Sequence, residues 1–565
     1  MLVFRFPILS AHAGLRGLEF RQDLGLSTSA RLWLCSLMSG GTGAPGTPFN
    51  FRLAILLAMA MFVLVVDTSL MNVSISAVVR DLDTTVSGVQ GAIALEALVS
   101  AAFILIGGKT GDLIGRKLAY ILGLLGYAVG AIAMTLAQDL RAIIIFWAII
   151  GGIGASLLLP AMQSLIHGNF EGDHQKRVYA LVGASAAIAA AVGPLLGGFI
   201  TTLWSWRWGF AGEAVIIGIV LLGIGLVKDV PYHGDRSVDL VGAALSIIGM
   251  GGVVTGILVW QEGGSYVGII IGIGVIALGA LVWWLRTRHR RGKPTLLDPT
   301  LFESKMFRAG ASGQLLQQVA LGGTMIVLPI YLQMVFEYNA LQAGLSIAPL
   351  SLSMFVIALL AGRGLKRRPA SVILWGFVLV VAGLAILVPL VPLADSGWWL
   401  TIPLIISGTG LGLLVSQLNN YTLSPISDER VSEAAGVNSA AGSFGLSFGL
   451  AFAGAIMLAT LAFTFTAQAD ASTVLSPEQQ QQVSSVLEED AEIMSNTGLA
   501  ELLADETPEV QAEVLAINTD SRNIALQVAL LVPILAGVLG ILNGVRMRRL
   551  PDPKASAAGE GMMLG

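Results

Sequence analysis

Cysteine and histidine are scarce in this 565-residue sequence, which limits the chemistry available to it. The single cysteine, Cys35, excludes an intramolecular disulfide and a thiolate metal cluster. Histidine occurs five times, always outside the long apolar runs or at their ends: His12, His167, His174, His233 and His289. No metal or catalytic site built on histidine can therefore form inside an apolar run.

Charge is also scarce. Charged residues make up 12% of the chain, hydrophobic residues 55%, and the mean hydropathy is +0.79, whereas soluble domains average about 25% charged residues. This composition indicates a polytopic membrane protein, because each spanning helix needs about 20 mostly apolar residues. The formal net charge of -4 says little until its distribution over the loops is considered.

The apolar runs predict fourteen spanning helices and an all-α integral membrane protein. The predicted spans are 53–75, 88–107, 118–137, 141–165, 178–203, 209–227, 240–260, 265–285, 309–333, 341–361, 370–392, 398–421, 434–464 and 522–545.

Lysine and arginine concentrate in alternate loops, which predicts the orientation because such residues stay on the cytoplasmic side during insertion. The predicted inner loops and tail carry Arg116, Lys117, Lys176, Arg177, Lys228, Arg236, Arg286, Arg288, Arg290, Arg291, Lys293, Lys366, Arg367, Arg368, Arg546, Arg548 and Arg549. The outer loops carry little beyond Arg80, Arg141 and Arg207. We therefore expect both termini in the cytoplasm.

The first residues of the chain do not contribute an apolar run long enough to span a membrane. Met38 opens a Gly- and Pro-rich stretch and is a plausible natural start. We expect residues 1–52 to be a disordered or mis-started cytoplasmic tail, and the first 37 residues to be dispensable.

One predicted outer loop, residues 467–520, contains no lysine or arginine. Its twelve acidic residues are Asp470, Glu478, Glu488, Glu489, Asp490, Glu492, Glu501, Asp505, Glu506, Glu509, Glu513 and Asp520. The simpler interpretation is a solvated acidic loop. The alternative is a small helical cap that concentrates cations, since stretches such as VSSVLEEDAEIM and GLAELLADE have helical apolar spacing.

A basic turn separates the second predicted span from the third, and its marked residues are Gly108, Asp112, Gly115, Arg116 and Lys117. The glycines let the two backbones turn and approach, and Asp112 can pair with Arg116 four residues later. By composition this is a cytoplasmic turn. Its order also resembles the loop signature G-x-x-x-D-x-x-G-R-K/R of the major facilitator superfamily, which it matches in full.

A weaker copy of this turn, at 362–368, follows the tenth span but lacks the aspartate. Degenerate repeats of this kind fit two parallel six-helix halves with a site between them. The resemblance implies a major facilitator fold with spans seven and eight inserted between the halves. The predicted divisions are 53–227 and 309–545 for the two bundles, 228–308 for the inserted pair and linker, and 546–565 for a cytoplasmic tail.

The first span contains an acid, Asp67, in the order D-T-x-x-x-N that ends at Asn72. A carboxylate at the centre of a spanning helix costs about 3 kcal/mol, so Asp67 must face protein or a water-filled cavity. The order resembles the first-span signature of the fourteen-span drug:proton antiporter branch, in which the carboxylate is linked to transport. The alternative is an outer-leaflet gate or helix-pairing residue.

Two further acids, Glu96 in the second span and Glu213 in the sixth, lie within apolar sequence. Both are candidates for proton coupling beside Asp67. Glu213 could instead pair locally with Arg207. Both acids depart from the family pattern. Relatives more often carry an aromatic residue at the position of Glu96 and an amide at the position of Glu213.

The fifth span contains Gly193, Pro194, Gly197 and Gly198. A G-x-x-x-G pair lets helices approach closely, and the proline removes a backbone hydrogen bond and kinks the helix. The order also resembles the G-P-x-x-G-G signature that marks exporters in this superfamily. That resemblance implies outward transport.

In the fourth span, Ala148 and Gly151 occupy the positions of an arginine and a glutamine in the family pattern R-x-x-Q-G-x-G-A-A. The family assigns that arginine a part in proton handling. Its absence implies a different coupling scheme, for which Glu96 and Glu213 are the candidate compensation.

Polar residues within the spans are candidates for a substrate cavity. Three of them form a stripe on the ninth span at i, i+3 and i+4, which faces protein rather than lipid. The full set is Asn72, Gln163, Gln314, Gln317, Gln318, Gln333 and Asn419.

The resemblance implies a proton-coupled antiporter that exports amphipathic or cationic compounds such as drugs by alternating access. A dedicated lipid, siderophore or metabolite exporter is the alternative, and a non-transporting sensor is disfavoured because no sizeable cytoplasmic domain is present. An enzyme is not expected. The predicted partners are the substrate, protons and the bilayer of a bacterial plasma membrane, with no cofactor, metal or nucleic acid, and the chain is expected to be monomeric.

Overall fold

In the described part of the computed structural model, fourteen helices are long and apolar enough to cross a membrane. The structure describes residues 49–170, 172–229, 239–261, 264–364, 368–426, 430–480, 496–504 and 506–551. We number the helices α1 to α14: Phe51–Leu82, Val86–Ile114, Arg116–Leu136, Leu140–Asn169, Arg177–Leu203, Trp206–Leu226, Leu240–Gln261, Val267–Arg290, Lys305–Met334, Ala340–Ala361, Pro369–Leu393, Gly397–Leu423, Glu433–Ala471 and Pro508–Arg548.

Short polar caps set where several helices begin. The Asn50 side chain accepts a hydrogen bond from Leu53 N at 3.2 Å before α1, and Thr85 Oγ1 accepts from Gly88 N at 3.0 Å before α2. Asp139 Oδ1 accepts from Ala142 N at 2.7 Å before α4. Each cap satisfies a backbone donor that the first turn of a helix leaves without a partner.

Because successive helices alternate in direction, the bundle has two ends. We call the basic end the one with the start of α1, the α2–α3 turn and Arg177, and the acidic end the one with the end of α13 and the start of α14. The predicted basic residues Arg236, Lys366 and Arg367, residues 1–48 and the stretch VSSVLEEDAEIM, which is residues 483–494, lie outside the described residues, as does every residue from 481 to 495.

The packing of α1–α6 is repeated by α9–α14. In the first set α1 packs on α5, and α4 packs on both α2 and α3; in the second, α9 packs on α13, and α12 packs on both α10 and α11. Contacts between the two sets run mainly along α2 with α13 and along α5 with α10. The predicted limits of the two bundles remain a prediction.

The two sets touch directly toward the acidic end. The Gln333 side chain of α9 accepts from Ser76 Oγ of α1 and donates to Val73 O at 3.3 Å. Thr202 Oγ1 of α5 accepts from Leu341 N of α10 at 3.1 Å. These bonds close the acidic end between α1 and α5 on one side and α9 and α10 on the other.

The inserted helices α7 and α8 pack on each other, and α7 also packs on α2 and α13. Gln261 Nε2 of α7 donates to Gln90 Oε1 of α2 at 3.2 Å. A Cβ on Gly454 of α13 would lie 2.6 Å from Gln90 Oε1, so the glycine leaves room for the two glutamine side chains as they are placed here. The helix α7 therefore covers the line of contact between α2 and α13.

At the acidic end, α13 and α14 extend beyond the apolar runs that predicted them. The helix α13 continues to Ala471, beyond the predicted end at 464, and α14 begins at Pro508, before the predicted 522. Val510, Val514 and Ile517 of the added turns pack against Phe465 and Ala469 of α13. Residues 467–471 and 508–520 of the predicted loop are therefore helix, because an apolar stripe continues where the overall hydropathy falls.

Candidate functional site

Asp67 is fully buried in the middle of α1. Trp147 of α4 donates its indole Nε1 hydrogen to both carboxyl oxygens, with N···O distances of 3.0 Å to Oδ1 and 2.9 Å to Oδ2. Tyr127 of α3 donates its hydroxyl hydrogen to Oδ2. This candidate proton-coupling residue is thus held by two neutral donors from neighbouring helices.

The local backbone explains how these donors reach Asp67. Residues Ile143–Gly151 of α4 form a π-helical segment, and Trp147 lies at its centre. Such segments are rare and frequently occur at functional sites. A Cβ on Gly154 would lie 2.8 Å from Tyr127 N, so a glycine here lets α3 and α4 approach closely enough for both donors to face α1.

Tyr127 and Trp147 were missed by the sequence analysis. Aromatic residues in a spanning helix are usually core or lipid-facing residues, and nothing in the sequence marks these two as hydrogen-bond donors. Position 148, where the family pattern has an arginine, is a buried alanine. The donor at Asp67 instead comes from the adjacent residue, which is uncharged.

Glu96 and Glu213 are buried near Asp67, with 7% and 3% of their surfaces exposed. Each carboxyl group is close enough to interact electrostatically with Asp67, and Tyr127 lies within such reach of all three acids. Both carboxyl oxygens of Glu213 are buried without a hydrogen-bond partner among the described residues. The three candidate acids from α1, α2 and α6 therefore form one cluster.

The alternative pairing of Glu213 with Arg207 is wrong. The Arg207 guanidinium pairs with Asp81 of α1, donates to Ala137 O at 2.6 Å, and lies 4.6 Å from the ring centre of Trp206. Six residues separate Arg207 from Glu213, which puts their side chains about 120° apart around the helix. Arg207 remains at the acidic end while Glu213 faces the interior.

The basic turn pairs as predicted. Arg116 Nη2 lies 3.5 Å from Asp112 Oδ1. Lys117 donates to Val227 O at 2.7 Å through Nζ and to Asp229 Oδ1 at 3.0 Å through its backbone N–H. Gly115 has φ +99, a conformation that favours glycine. The turn is thus fastened to the end of α6, while Gly108 makes only ordinary contacts with Pro160.

The glycines of α5 allow close contact on two sides, as predicted. A Cβ on Gly193 would lie 2.5 Å from Ser69 Cβ, and one on Gly197 would lie 2.8 Å from Leu70 Cα, both in α1. On the other side, a Cβ on Gly198 would lie 2.5 Å from Ala340 O of α10. Pro194 O faces α10 as well, 2.4 Å from the Cβ position of Gly344. The roles of these residues in conformational change remain predictions.

The polar cavity candidates do not gather in one place. Gln314 and Gln318 of α9 lie against Gly442 of α13, and Asn438 Nδ2 of α13 donates to Asn419 Oδ1 of α12 at 3.0 Å. Gln317 is buried on the same helix as the first two.

The remaining candidates lie apart. Gln333 ties α9 to α1 toward the acidic end. Gln163 lies in the half of α4 nearer the basic end, where its carbonyl accepts from Tyr179 Oη at 3.2 Å. Asn72 is buried in α1, with Oδ1 unbonded among the described residues.

Acids, histidines and cysteine do not cluster in a metal-binding arrangement anywhere in the described part of the chain. What the site offers is a set of carboxyl groups able to take up or release protons inside a membrane bundle. Such groups in spanning helices mark ion and proton pathways in transporters.

Several known transporters are similar in sequence. The chain is 27% identical over 450 residues to the "Probable actinorhodin transporter" of Streptomyces coelicolor, covering 76% of each chain. It is 27% identical to "Multidrug resistance protein Stp" of Mycobacterium tuberculosis, over 72% of this chain and 75% of that one. It is 26% identical to "Multidrug export protein EmrB" of Escherichia coli, over 70% and 78%.

Solved structures share the fold. A bacterial homologue of the human lysosomal transporter Spinster, inward-facing and occupied, has a TM-score of 0.53 at 14% identity, covering 89% of this chain and 98% of that one. A POT family transporter in complex with 5-aminolevulinic acid has a TM-score of 0.55 at 14% identity, over 79% and 94%. Residues 57–239 and 237–450 match the sequence profile of the Major Facilitator Superfamily. The chain belongs to the Major Facilitator Superfamily, and the part of it that the structure describes contains the fourteen membrane-length helices that its sequence predicts.

Proposed function

We propose that this transporter exports amphipathic, lipophilic or cationic small molecules in exchange for protons, by alternating access. The observation that carries the proposal is Asp67, a fully buried carboxyl group in α1 whose hydrogen bonds come from Tyr127 of α3 and Trp147 of α4. No fixed positive charge takes part in these bonds. The carboxyl group can therefore change its charge by binding a proton.

Protonation would change how α1 is held. An indole N–H can only donate, so it suits an ionised carboxylate. A protonated Asp67 has its own hydrogen to donate, and a hydroxyl such as that of Tyr127 can accept it. Proton binding would thus reverse one bond and weaken another between α1 and its neighbours, which gives the proton a differential effect on two conformations.

Glu96 and Glu213 extend the proposed proton site. Both interact electrostatically with Asp67, so a proton on one acid favours ionisation of another. We rank Asp67 first as the coupling residue, Glu96 second and Glu213 third. A proton that crosses the full membrane field gains about 2.3 kcal/mol per 100 mV, and the pH gradient adds to this.

Orientation and direction follow from charge and resemblance. The basic end carries Arg116, Lys117 and Arg177, and we infer that it is cytoplasmic in a bacterial plasma membrane, with both termini on that side. The α5 pattern and the names of relatives such as a multidrug export protein support outward transport. Release would then require the contacts of Gln333 and Thr202 at the acidic end to separate.

A dedicated exporter of one compound class is the second candidate. One relative is named for a single compound, actinorhodin. The scattered polar candidates also leave the substrate class open. The range of transported compounds distinguishes these two candidate functions. Efflux of several unrelated dyes favours a multidrug exporter, whereas efflux of a single family of compounds favours a dedicated exporter.

The test uses inside-out vesicles with a dye panel supplied in the external medium, with and without an uncoupler, and compares wild type with Asp67→Asn. The matched control is Asp83→Asn, an exposed residue with φ 48 where asparagine is equally tolerated. We expect the uncoupler and Asp67→Asn to abolish concentrative uptake, and Asp83→Asn to preserve it. Concentrative uptake that survives both treatments would rule out proton antiport.

A further inference from the structure

A cleft of about 320 Å³ lies between α1, α5 and α6, apart from the acid cluster. Its wall is apolar except for Ser185, whose hydroxyl hydrogen is donated to Ala58 O at 2.6 Å. The side chains that shape it include Ile55, Met59, Phe62, Leu181, Ile188 and Ile216. An occupant of this cleft must therefore be apolar where it contacts the wall.

The depth of the cleft is the same on both helices. Ile55 to Phe62 lie four to eleven residues into α1, and Leu181 to Ile188 lie four to eleven residues into α5. At about 1.5 Å per residue, the cleft spans depths of roughly 6 to 16 Å from the basic end. It therefore runs along the helix axes within one leaflet.

The cleft opens toward the outside of the bundle. Its rim residues Ile55 and Ile188 are 37% and 43% exposed. Ile188 lies three turns before Phe199 on one face of α5, and Phe199 is 45% exposed near the acidic end, where the two helix sets are in contact. An exposed apolar side chain there faces lipid, so the same face of α5 at Ile188 also faces lipid.

Two arginines continue the stripes that line the cleft. Arg52 precedes Ile55, Met59 and Phe62 by three, seven and ten residues, which is the spacing of one helix face. Arg177 precedes Leu181 and Ile188 by four and eleven residues on α5. Both arginines are exposed at the basic end. The apolar cleft thus ends at a pair of positive charges placed at headgroup depth.

We propose that this cleft binds one acyl chain of an anionic glycerophospholipid, with the lipid phosphate held by Arg52 and Arg177. The volume is at the lower limit for small-molecule pockets, of order 300 Å³, which suits a chain better than a bulky ring system. The phosphate matches the bidentate geometry of guanidinium groups. The site is separate from the acid cluster, and the proposal does not depend on proton coupling.

The test measures lipid binding to the full chain in detergent by native mass spectrometry, with dioleoyl phosphatidylglycerol and dioleoyl phosphatidylcholine as probes. Wild type should bind phosphatidylglycerol more tightly. The double variant R52Q/R177Q should lose about fivefold in phosphatidylglycerol affinity for each arginine removed. The control R286Q/R290Q removes two exposed arginines from the same end, at α8, and should retain the preference.

Filling the cleft provides a second measurement. Ala184→Trp should reduce binding of both lipids at this site, whereas Leu196→Trp, at an exposed position of α5 outside the cleft, should not. An unchanged preference in R52Q/R177Q, or equal binding of both lipids by wild type, would overturn the proposal. So would displacement of the lipid by rhodamine 6G together with loss of dye binding in Ala184→Trp, because the cleft would then be a substrate site. Since R52Q/R177Q changes only exposed side chains, misfolding of Ala184→Trp would leave the test intact.

Discussion

The indole nitrogen of Trp147 lies 3.0 and 2.9 Å from the two carboxyl oxygens of Asp67, so a single donor from α4 is shared across the whole carboxylate of α1. This arrangement favours one orientation of the carboxyl group. It also joins the π-helical segment of α4 to the residue proposed to carry the proton.

Trp147→Phe should impair proton-driven transport while preserving counterflow, because it removes the donor but keeps most of the ring. A hydrogen bond to a charged group contributes about 1.5–3 kcal/mol, so the loss should be about tenfold or more. The measurement is proton-driven uptake beside counterflow in the same vesicles. Trp208→Phe, at a 64% exposed position, is the control. Equal losses in both assays would indicate that Trp147 acts only in packing.

Replacement of Glu96 and Glu213 by glutamine separates their roles from that of Asp67. Glutamine keeps the shape and hydrogen bonding of the acid but cannot titrate. We expect Glu96→Gln to reduce proton-driven uptake more than Glu213→Gln, and both less than Asp67→Asn, with counterflow largely kept. If all three amide variants retain full proton-driven uptake, none of these three acids couples proton movement to transport.

Gly198→Ala should destabilise the closed acidic end, since the new Cβ would lie 2.5 Å from Ala340 O. Forcing a methyl group into such a contact typically costs about 1–3 kcal/mol. We expect a lower unfolding temperature and slower transport. Gly212→Ala is the matched control, because nothing lies within 4 Å of its Cβ position. Identical melting of the two variants would contradict the close α5–α10 contact.

The proposed attraction of cations by the acidic residues of the predicted 467–520 loop is better tested by removing their charge than by deleting the loop. Deleting residues 470 to 518 would also remove Val510, Val514 and Ile517, which cover Phe465 and Ala469. Amides at the exposed Asp470, Glu478, Glu501 and Glu509 should instead weaken the apparent affinity for cationic substrates, most strongly at low salt. A neutral substrate is the control, and an equal loss for it would assign the segment a structural role.

Asp298, outside the spans, gives a pH-dependent prediction. Burial acts to raise its pKa, but hydrogen bonds from Thr300 and the charges of Arg430 and His289 outweigh burial, so the pKa is lowered. A lowered folded-state pKa contributes stability above the unfolded value of about 3.8, which is lost as the pH falls through the folded value. Asp298→Asn should therefore melt below wild type at pH 7. The difference should shrink below pH 4, and a constant difference would contradict this linkage.

The sequence predicts the fourteen helices well because each is an apolar run of membrane length. It also predicts that Asp67 faces the protein interior, since an acid within an apolar run would be costly in contact with lipid. It does not predict Tyr127 or Trp147, because a donor and a core aromatic residue look alike in sequence. The partner of Arg207 was equally hidden: Asp81 lies 126 residues away, and only the packing of α6 on α1 brings them together.

The helix α7 touches both α2 and α13, through the Gln90–Gln261 bond and the glycine at position 454. On this side of the molecule, three helices connect the two six-helix halves. On the opposite side, the halves meet through one pair of helices, α5 and α10. If one six-helix half rotates against the other, we expect the rotation axis to lie near α2, α7 and α13. The opening should then be wider between α5 and α10. The exit pathway would then be asymmetric, and a bulky substrate would leave beside α5.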